Sequence, residues 1–352
     1  MEMYDLIVIG GGQSALACAY FLRRAGLKYI ILDDQPQGGG AWQHTWDSLT
    51  LFSPAEYSSL PGWMMPKSEN EFPSKLEVLD YLSAYQERYQ IRIQHGVKVT
   101  DVQKNGTVFT VISDQGEYQS RAVISATGTF QNLFIPEVPG KDLFKGHQLH
   151  SAQYKNAEPF KDKNVLIVGA GNSGAQILAE VSKVAKTVWA AQNTPEYLPD
   201  DVDGRVLFDV ASAKYNAMKE GKEFVPSQYN IGNVVMVPTV KEARSRGVLE
   251  TRETFKEIYE NGVVWQDDSR QPFDAIIWCT GFGFATGHLR GLGILQEKGK
   301  TDCEGTRSVD VEGLWLVGYG SFTGFASATL IGVGRSARQT VSEIVEYLKI
   351  QK

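Results

Sequence analysis

Leu6-Ile7-Val8-Ile9-Gly10-Gly11-Gly12-Gln13-Ser14-Ala15 and, about 160 residues later, Val165-Leu166-Ile167-Val168-Gly169-Ala170-Gly171-Asn172-Ser173-Gly174 are two versions of one pattern. In each, an apolar run of strand length gives way to glycines and then to a helical pattern. Glycines at this spacing let a backbone approach a pyrophosphate, and the following helix N-terminus turns N–H groups and a positive dipole end toward the anion. Ala15 stands where a third glycine often sits and still allows the helix to pack closely on the strand. The spacing marks Gly10, Gly12, Gln13, Ser14 and Ala15 as contacts in the first loop, and Gly169, Gly171, Asn172, Ser173 and Gly174 in the second. One such loop holds one dinucleotide. Two predict a protein that passes electrons between two cofactors.

Working outward, the first helix carries Ala15, Leu16, Ala19, Tyr20 and Leu22 on roughly one side, with Gly26 expected to end it. A second strand, Tyr29–Leu32, ends at Asp33 and Asp34, about 20 residues past the glycines, where an acid would hold ribose hydroxyls. Ser74 with Glu77 reads as a capping box opening a helix through Tyr89. Short strands near Val97–Gln103, Thr107–Ile112 and Tyr118–Ile124, turned by Asn105-Gly106 and Asp114-Gln115-Gly116, form a meander that runs into Ser125-Ala126-Thr127-Gly128.

In the second unit, the strand Thr187–Ala191 is followed by Gln192 and Asn193. A carboxylate there would favour the NAD ribose, and an arginine would hold the 2′-phosphate of NADP. Gln192 and Asn193 can bond to either form, so relaxed selectivity between NADH and NADPH is expected. Residues 193–261 are charged and irregular and suggest no role. The strand Ala275–Trp278 ends at Cys279-Thr280-Gly281, and Leu314–Val317 leads to Gly318 before a closing helix from about Ser327 to Leu348. The first unit and the C-terminal strand and helix flank the second unit. The expected fold is therefore α/β, with two Rossmann-like dinucleotide-binding domains, the second inserted into the first.

The bulk numbers narrow the function. Hydrophobic content of 42% and charged content of 22% in 352 residues are those of a soluble globular protein. A net charge of −6 argues against nucleic acid, whose phosphates need a basic surface. No apolar stretch reaches the length of a membrane span, and no basic leader precedes the first strand. Cys18, Cys279 and Cys303 are widely spaced, so neither a redox cysteine pair nor a zinc site is supported. A reduced, cytoplasmic protein is expected. No nucleophilic triad and no metal spacing stands out.

Between the units lies Phe144-Lys145-Gly146-His147-Gln148-Leu149-His150-Ser151-Ala152-Gln153-Tyr154. Its pattern, Phe-x-Gly-x-x-x-His-x-x-x-Tyr, resembles the fingerprint of the flavin-containing monooxygenases; the related Baeyer–Villiger monooxygenases usually end it in Trp. Gly39-Gly40-Ala41-Trp42, Leu51-Phe52-Ser53-Pro54 and Ser59-Leu60-Pro61-Gly62 resemble the family segment that wraps the flavin. Ala126-Thr127-Gly128 and Cys279-Thr280-Gly281-Phe282 resemble its two crossovers. The likeness covers most of the chain except roughly 200–260.

The resemblance implies an FAD domain over residues 1–157 and 281–352 and an NAD(P)H domain over 158–280. It adds Asp33, Asp34, Gly40, Ala41, Trp42, His44, Leu51, Phe52, Val99, Ala126, Thr127, Gly128, Gly318 and Thr329 to the FAD contacts. It adds Gln192, Asn193, Thr280 and Gly281 to the nucleotide contacts, with His150 and Tyr154 helping to place the nicotinamide. The implied reaction passes hydride from NADPH or NADH to FAD. The reduced flavin and O₂ then form a C4a-(hydro)peroxyflavin that oxygenates a sulfide or amine, or inserts oxygen beside a ketone. The partners are then O₂ and a small organic substrate, and a homodimer is the default assembly.

One departure matters. Many members carry Asn two residues before the proline of the Leu51–Pro54 segment, and Phe52 stands here. A phenyl ring cannot hydrogen-bond a peroxide. Either Gln43, His44 or Gln131 takes that role, or the protein works as an NAD(P)H oxidase releasing H₂O₂. A flavoprotein partner of an ion-transport system is the remaining alternative.

Overall fold

The computed structural model describes residues 2–206, 208–210, 213, 222, 233–324 and 326–351. Much of the stretch 200–260 to which no role was given lies outside the described residues. In chain order the strands are β1 (Met3–Ile9), β2 (Tyr29–Asp33), β3 (Gln94–His95), β4 (Val99–Asn105), β5 (Val108–Ser113), β6 (Gly116–Ser125), β7 (His147–His150), β8 (Asn164–Val168), β9 (Lys186–Ala191), β10 (Thr251–Glu253), β11 (Glu257–Tyr259), β12 (Gly262–Val264), β13 (Arg270–Pro272), β14 (Ala275–Trp278), β15 (Cys303–Glu304), β16 (Arg307–Ser308) and β17 (Leu314–Leu316). Among the α-helices are α1 (Gln13–Leu22), α2 (Lys75–Arg88), α3 (Asn172–Val181), α4 (Pro238–Ser245) and α5 (Leu330–Ile350).

The chain divides into two units. Unit 1 comprises Met1–Gln43, Ser53–Asn132 and Gly283–Lys352, and unit 2 comprises His44–Phe52 and Leu133–Phe282. In unit 1 the sheet runs β15-β16-β17-β6-β1-β2-β3, with β4 and β5 extending from β6 as the expected antiparallel meander. β1 lies parallel between β2 and β6, and β17 pairs parallel with β6. Ile7, Ile9, Phe109, Val111, Val123 and Leu316 build one buried core, and α1 packs against α5. Ser74 does cap α2, its hydroxyl accepting from the Glu77 amide while Glu77 reaches back to the Ser74 amide.

Unit 2 holds a parallel sheet in the order β10-β9-β8-β14-β7 and a separate antiparallel sheet β11-β12-β13. β8 and β14 are buried almost end to end. Parallel strands are covered on both faces, which is why they read as unbroken apolar runs rather than alternating ones.

Four expectations need correction. The boundary at 157/158 falls inside unit 2, because β7 registers residue for residue with β14 (His147 with Ala275 through His150 with Trp278). Gly281 and Phe282 belong with unit 2 as well, where Leu133 bridges Phe282. The segment His44–Phe52 also joins unit 2: the Asp47 amide donates to the Lys155 carbonyl at 2.9 Å, and Lys155 Nζ donates to the His44 carbonyl at 2.6 Å. Finally, α1 stops at Leu22 rather than near Gly26. Tighter bonds from the Arg24 amide to Phe21 and from the Ala25 amide to Leu22 unwind it into a turn that ends at Gly26.

Phe109 is fully buried in the unit 1 core. Phe109→Ala removes its apolar surface and leaves a cavity, so a loss of about 3–5 kcal/mol is expected. Urea unfolding followed by circular dichroism would measure it.

Candidate functional site

The first glycine loop starts α1 at Gly12 with no capping side chain, and the first turn carries no acid. Its N–H groups therefore face whatever occupies the loop. A Cβ on Gly40 would come within 2.7 Å of the Gly12 Cα, so the floor of this loop is paved by backbone. Gln13 joins two flanking segments: its carbonyl accepts from Trp42 Nε1 at 3.1 Å, and its amide donates to the Ala328 carbonyl at 2.8 Å. Ser14 and Ala15 are buried beneath. Gly318 sits against Ser14, and Thr329 caps α5, its hydroxyl accepting from the Gly332 amide. Val99 packs on the unit 1 core at the start of β4.

Asp33 and Asp34 have different settings. Asp33 is buried; one oxygen accepts the Gly11 amide at 3.0 Å and the other lies 3.0 Å from His95 Nδ1. Burial pushes its carboxyl up, and the Gly11 amide and His95 pull it back down. Asp34 instead accepts from Gln35 at 2.6 Å and from Gln131 at 2.7 Å. Gln131 is thus engaged with Asp34, and Gln43 donates to the Gln37 carbonyl.

Ala126-Thr127-Gly128 follows β6. Thr127 Oγ1 donates to the Ala285 carbonyl at 2.7 Å, and the Thr127 amide donates to the Tyr319 hydroxyl at 3.2 Å. That hydroxyl lies 2.5 Å from Ser125 Oγ, which lies 3.0 Å from His288 Nε2. Sequence reading missed this network. Tyr319 and His288 reach Ser125 across 194 and 163 residues, and no local spacing announces such a meeting.

In unit 2, α3 also starts without a capping side chain, at Gly171. A Cβ on Gly174 would stand 2.1 Å from the Gly169 carbonyl oxygen, so only glycine fits where helix meets strand. Asn172 is committed to the protein: its side-chain carbonyl accepts from the Val235 amide at 2.8 Å, and its amide donates to the Asn233 carbonyl at 3.2 Å. Ser173 opens the helix beside it. Gln192 and Asn193 are exposed just beyond β9.

His150 is fully buried. Its Nδ1 accepts from the Ala152 amide at 3.2 Å, so Nε2 carries the proton and donates to the Gly281 carbonyl at 2.9 Å. Burial pushes its pKa down, against the pull of that carbonyl. The imidazole is a neutral brace for the crossover, and Phe282 packs edge-on against it. Thr280 Oγ1 donates to the Phe134 carbonyl at 2.5 Å. Tyr154 is equally buried; its hydroxyl donates to Glu180 at 2.6 Å, and burial, followed by Glu180, pushes its pKa up. Leu51 is buried. The Phe52 carbonyl accepts from the Gly204 amide at 2.8 Å, and its ring lies 6.0 Å from that of Phe208.

No group of three or more metal-ligating side chains occurs among the described residues, and no helix among them is long and apolar enough to cross a membrane. Cys18 and Cys279 are buried in separate elements, and burial raises both thiols, Cys18 to about 12. Neither is poised as a thiolate.

Residues 7–318 match the model of the pyridine nucleotide-disulphide oxidoreductases. The chain belongs to this family. A solved flavin-containing monooxygenase from Stenotrophomonas maltophilia is 46% identical, with 99% of each chain covered and a TM-score of 0.90. The oxidoreductase CzcO of Bacillus subtilis is 35% identical over 97% of this chain and 99% of its own. The probable indole-3-pyruvate monooxygenase YUCCA1 of Arabidopsis thaliana is 28% identical over 96% of this chain and 89% of its own. The resemblance to the flavin-containing monooxygenases thus holds along the whole chain, which is a flavoprotein monooxygenase in the general sense. FAD and a nicotinamide nucleotide are the cofactors of this kind of enzyme. Two glycine-paved, uncapped helix N-termini, one beside a buried carboxylate, fit them.

Burial lowers His288 to about 4 from an ordinary 6.5. The unfolded chain takes up a proton that the folded chain refuses. Stability is therefore full above pH 6.5 and falls as pH drops toward 4, by at most about 3 kcal/mol from this group. His288→Asn should flatten that fall, as read from urea midpoints at pH 7 and pH 5.

Proposed function

We propose that unit 1 holds FAD and unit 2 holds NADPH or NADH, and that the protein oxygenates sulfides and amines, and ketones by Baeyer–Villiger insertion. The observation that carries this reading is the pair of glycine-paved helix starts, one on each unit. The α1 N-terminus binds the FAD pyrophosphate, and Asp33 accepts from the ribose hydroxyls while the Gly11 amide holds its other oxygen. Gln13 and Trp42 hold the flanking segments in place. The α3 N-terminus binds the nicotinamide nucleotide. Gln192 and Asn193 bring neither an acid to repel a 2′-phosphate nor an arginine to require one, which supports use of both nucleotides. His150 and Tyr154 act as braces of the nucleotide unit rather than as proton donors.

Flavin, once bound, supplies the chemistry: it takes hydride from the nicotinamide and activates O₂. The protein's share is to orient the nicotinamide and exclude water. The assembly we expect is a cytoplasmic homodimer acting on a small organic substrate.

Phe52 favours a second reading, an NAD(P)H oxidase. Its ring brings no hydrogen-bond donor, and of Gln43, His44 and Gln131, the three residues that could replace one, Gln43 donates to the Gln37 carbonyl and Gln131 to Asp34. Counting NADPH consumed, H₂O₂ released and sulfoxide formed from a thioether separates the two. Sulfoxide matching most of the NADPH supports the oxygenase, and nearly all equivalents appearing as H₂O₂ overturns it. A several-hundred-fold preference for NADPH would end the claim of relaxed selectivity. Asp33→Ala should weaken FAD binding at least about tenfold, the effect of losing charge-assisted hydrogen bonds, as measured by flavin fluorescence during titration.

A further inference from the structure

Glu180 lies in the last turn of α3, the helix that begins at the second glycine loop. A carboxylate there faces the negative end of the helix dipole and needs donors to hold it. It has two. Tyr154, the last residue of the Phe144–Tyr154 motif, donates to one oxygen at 2.6 Å. Ser48 donates to the other. Ser48 sits in the segment His44–Phe52, which is far from α3 in sequence yet part of the same unit. Around this junction the Asp47 amide donates to Lys155, Asn156 donates to the Asp47 carboxylate at 3.1 Å, and Lys155 donates to the His44 carbonyl. Further along, the Gly204 amide holds the Phe52 carbonyl.

We infer that Glu180 is a positioning residue: through Ser48 it ties the segment that carries Leu51 and Phe52, and through Tyr154 the end of the Phe144–Tyr154 motif, to the helix that binds the nicotinamide nucleotide. The inference rests on the reading that α3 binds that nucleotide and that Leu51-Phe52 belongs to the cofactor site. A helix is stiff over three turns, so the two features are held at one spacing, with Glu180 as the fixed point. Hydride transfer is sensitive to small displacements, because the reacting atoms must stand about 3–3.5 Å apart. Glu180 touches neither cofactor in this account and acts only through the segment it holds. A glutamine there keeps one acceptor oxygen and loses the other, so it cannot hold both hydroxyls as the carboxylate does.

The test uses the FAD-loaded protein with Ser48→Ala, Glu180→Gln and the double variant. Amide hydrogen exchange reads the lock directly, at Asp47 and at Gly204. Each single variant should speed exchange at these amides roughly tenfold, the scale of one lost charge-assisted hydrogen bond, and the double variant should go no further than Glu180→Gln. Anaerobic reduction of the flavin, by whichever of NADH or NADPH reduces it, should slow about fivefold or more at saturation, with the nucleotide Kd changed less than about twofold. Unchanged exchange overturns the inference, and so does faster exchange with reduction at the wild-type rate. If Glu180→Gln loosens all of unit 2, Ser48→Ala, which leaves the Tyr154–Glu180 bond in place, decides on the same two readouts. Flavin reduction precedes any encounter with O₂, so an oxidase outcome in the product balance leaves this test intact.

Discussion

The two helices that follow the glycine loops, α1 and α3, begin with N–H groups that no capping side chain satisfies, and the cofactor reading depends on that fact. A helix start normally finds a Ser, Thr, Asp or Asn to cap it, as Ser74 does for α2. At α1 and α3 the residue in that place is glycine. An anion with several oxygens can serve those donors instead, and only if backbone comes close enough to leave it room. The close packing at Gly12 with Gly40, and at Gly169 with Gly174, supplies that room. The parallel strands beneath, buried on both faces, keep each loop at the strand's carboxyl end, where open α/β sheets bind their ligands.

The side chains that look most chemical are mostly structural here. His150 uses both ring nitrogens on backbone groups of its own unit. Tyr154 donates a hydrogen bond to Glu180, and burial keeps that hydroxyl protonated. This suits an enzyme whose reactive centre is a cofactor: the protein needs rigidity around it more than it needs acids and bases. Ser125, Thr127, Tyr319 and His288 make the same point in unit 1, where four neutral polar groups satisfy one another and hold the crossover after β6 to the returning chain.

What could be read from sequence was local. Strand, glycine loop and helix are contiguous, so both nucleotide units were legible, as were the α2 capping box and the meander. The place of Asp33 beside the first glycine loop could be read because its distance from the glycines is set by one helix and one strand. Partnerships made across the fold were not legible. Asn172 looked like a nucleotide contact, and nothing nearby in sequence says that Val235 takes its side-chain carbonyl. The segment His44–Phe52 reads as part of the first domain because it follows the first βαβ unit. Its attachment to Lys155 and Glu180 depends on residues more than a hundred positions away. The α1 boundary was misplaced for a different reason: a glycine after a helix marks where the turn ends, and the helix had already tightened and stopped before it.

Unit 1 is assembled from three stretches of chain, and its last strands and the helix that packs on α1 arrive only after residue 283. On the ribosome, β6 therefore emerges long before β17, the strand that pairs with its last residues, Val123–Ser125. Unit 2 gains nearly all of its chain first. The nascent N-terminal half must wait with an open sheet edge and an uncovered helix face, the kind of surface that invites wrong partners and that chaperones exist to shield.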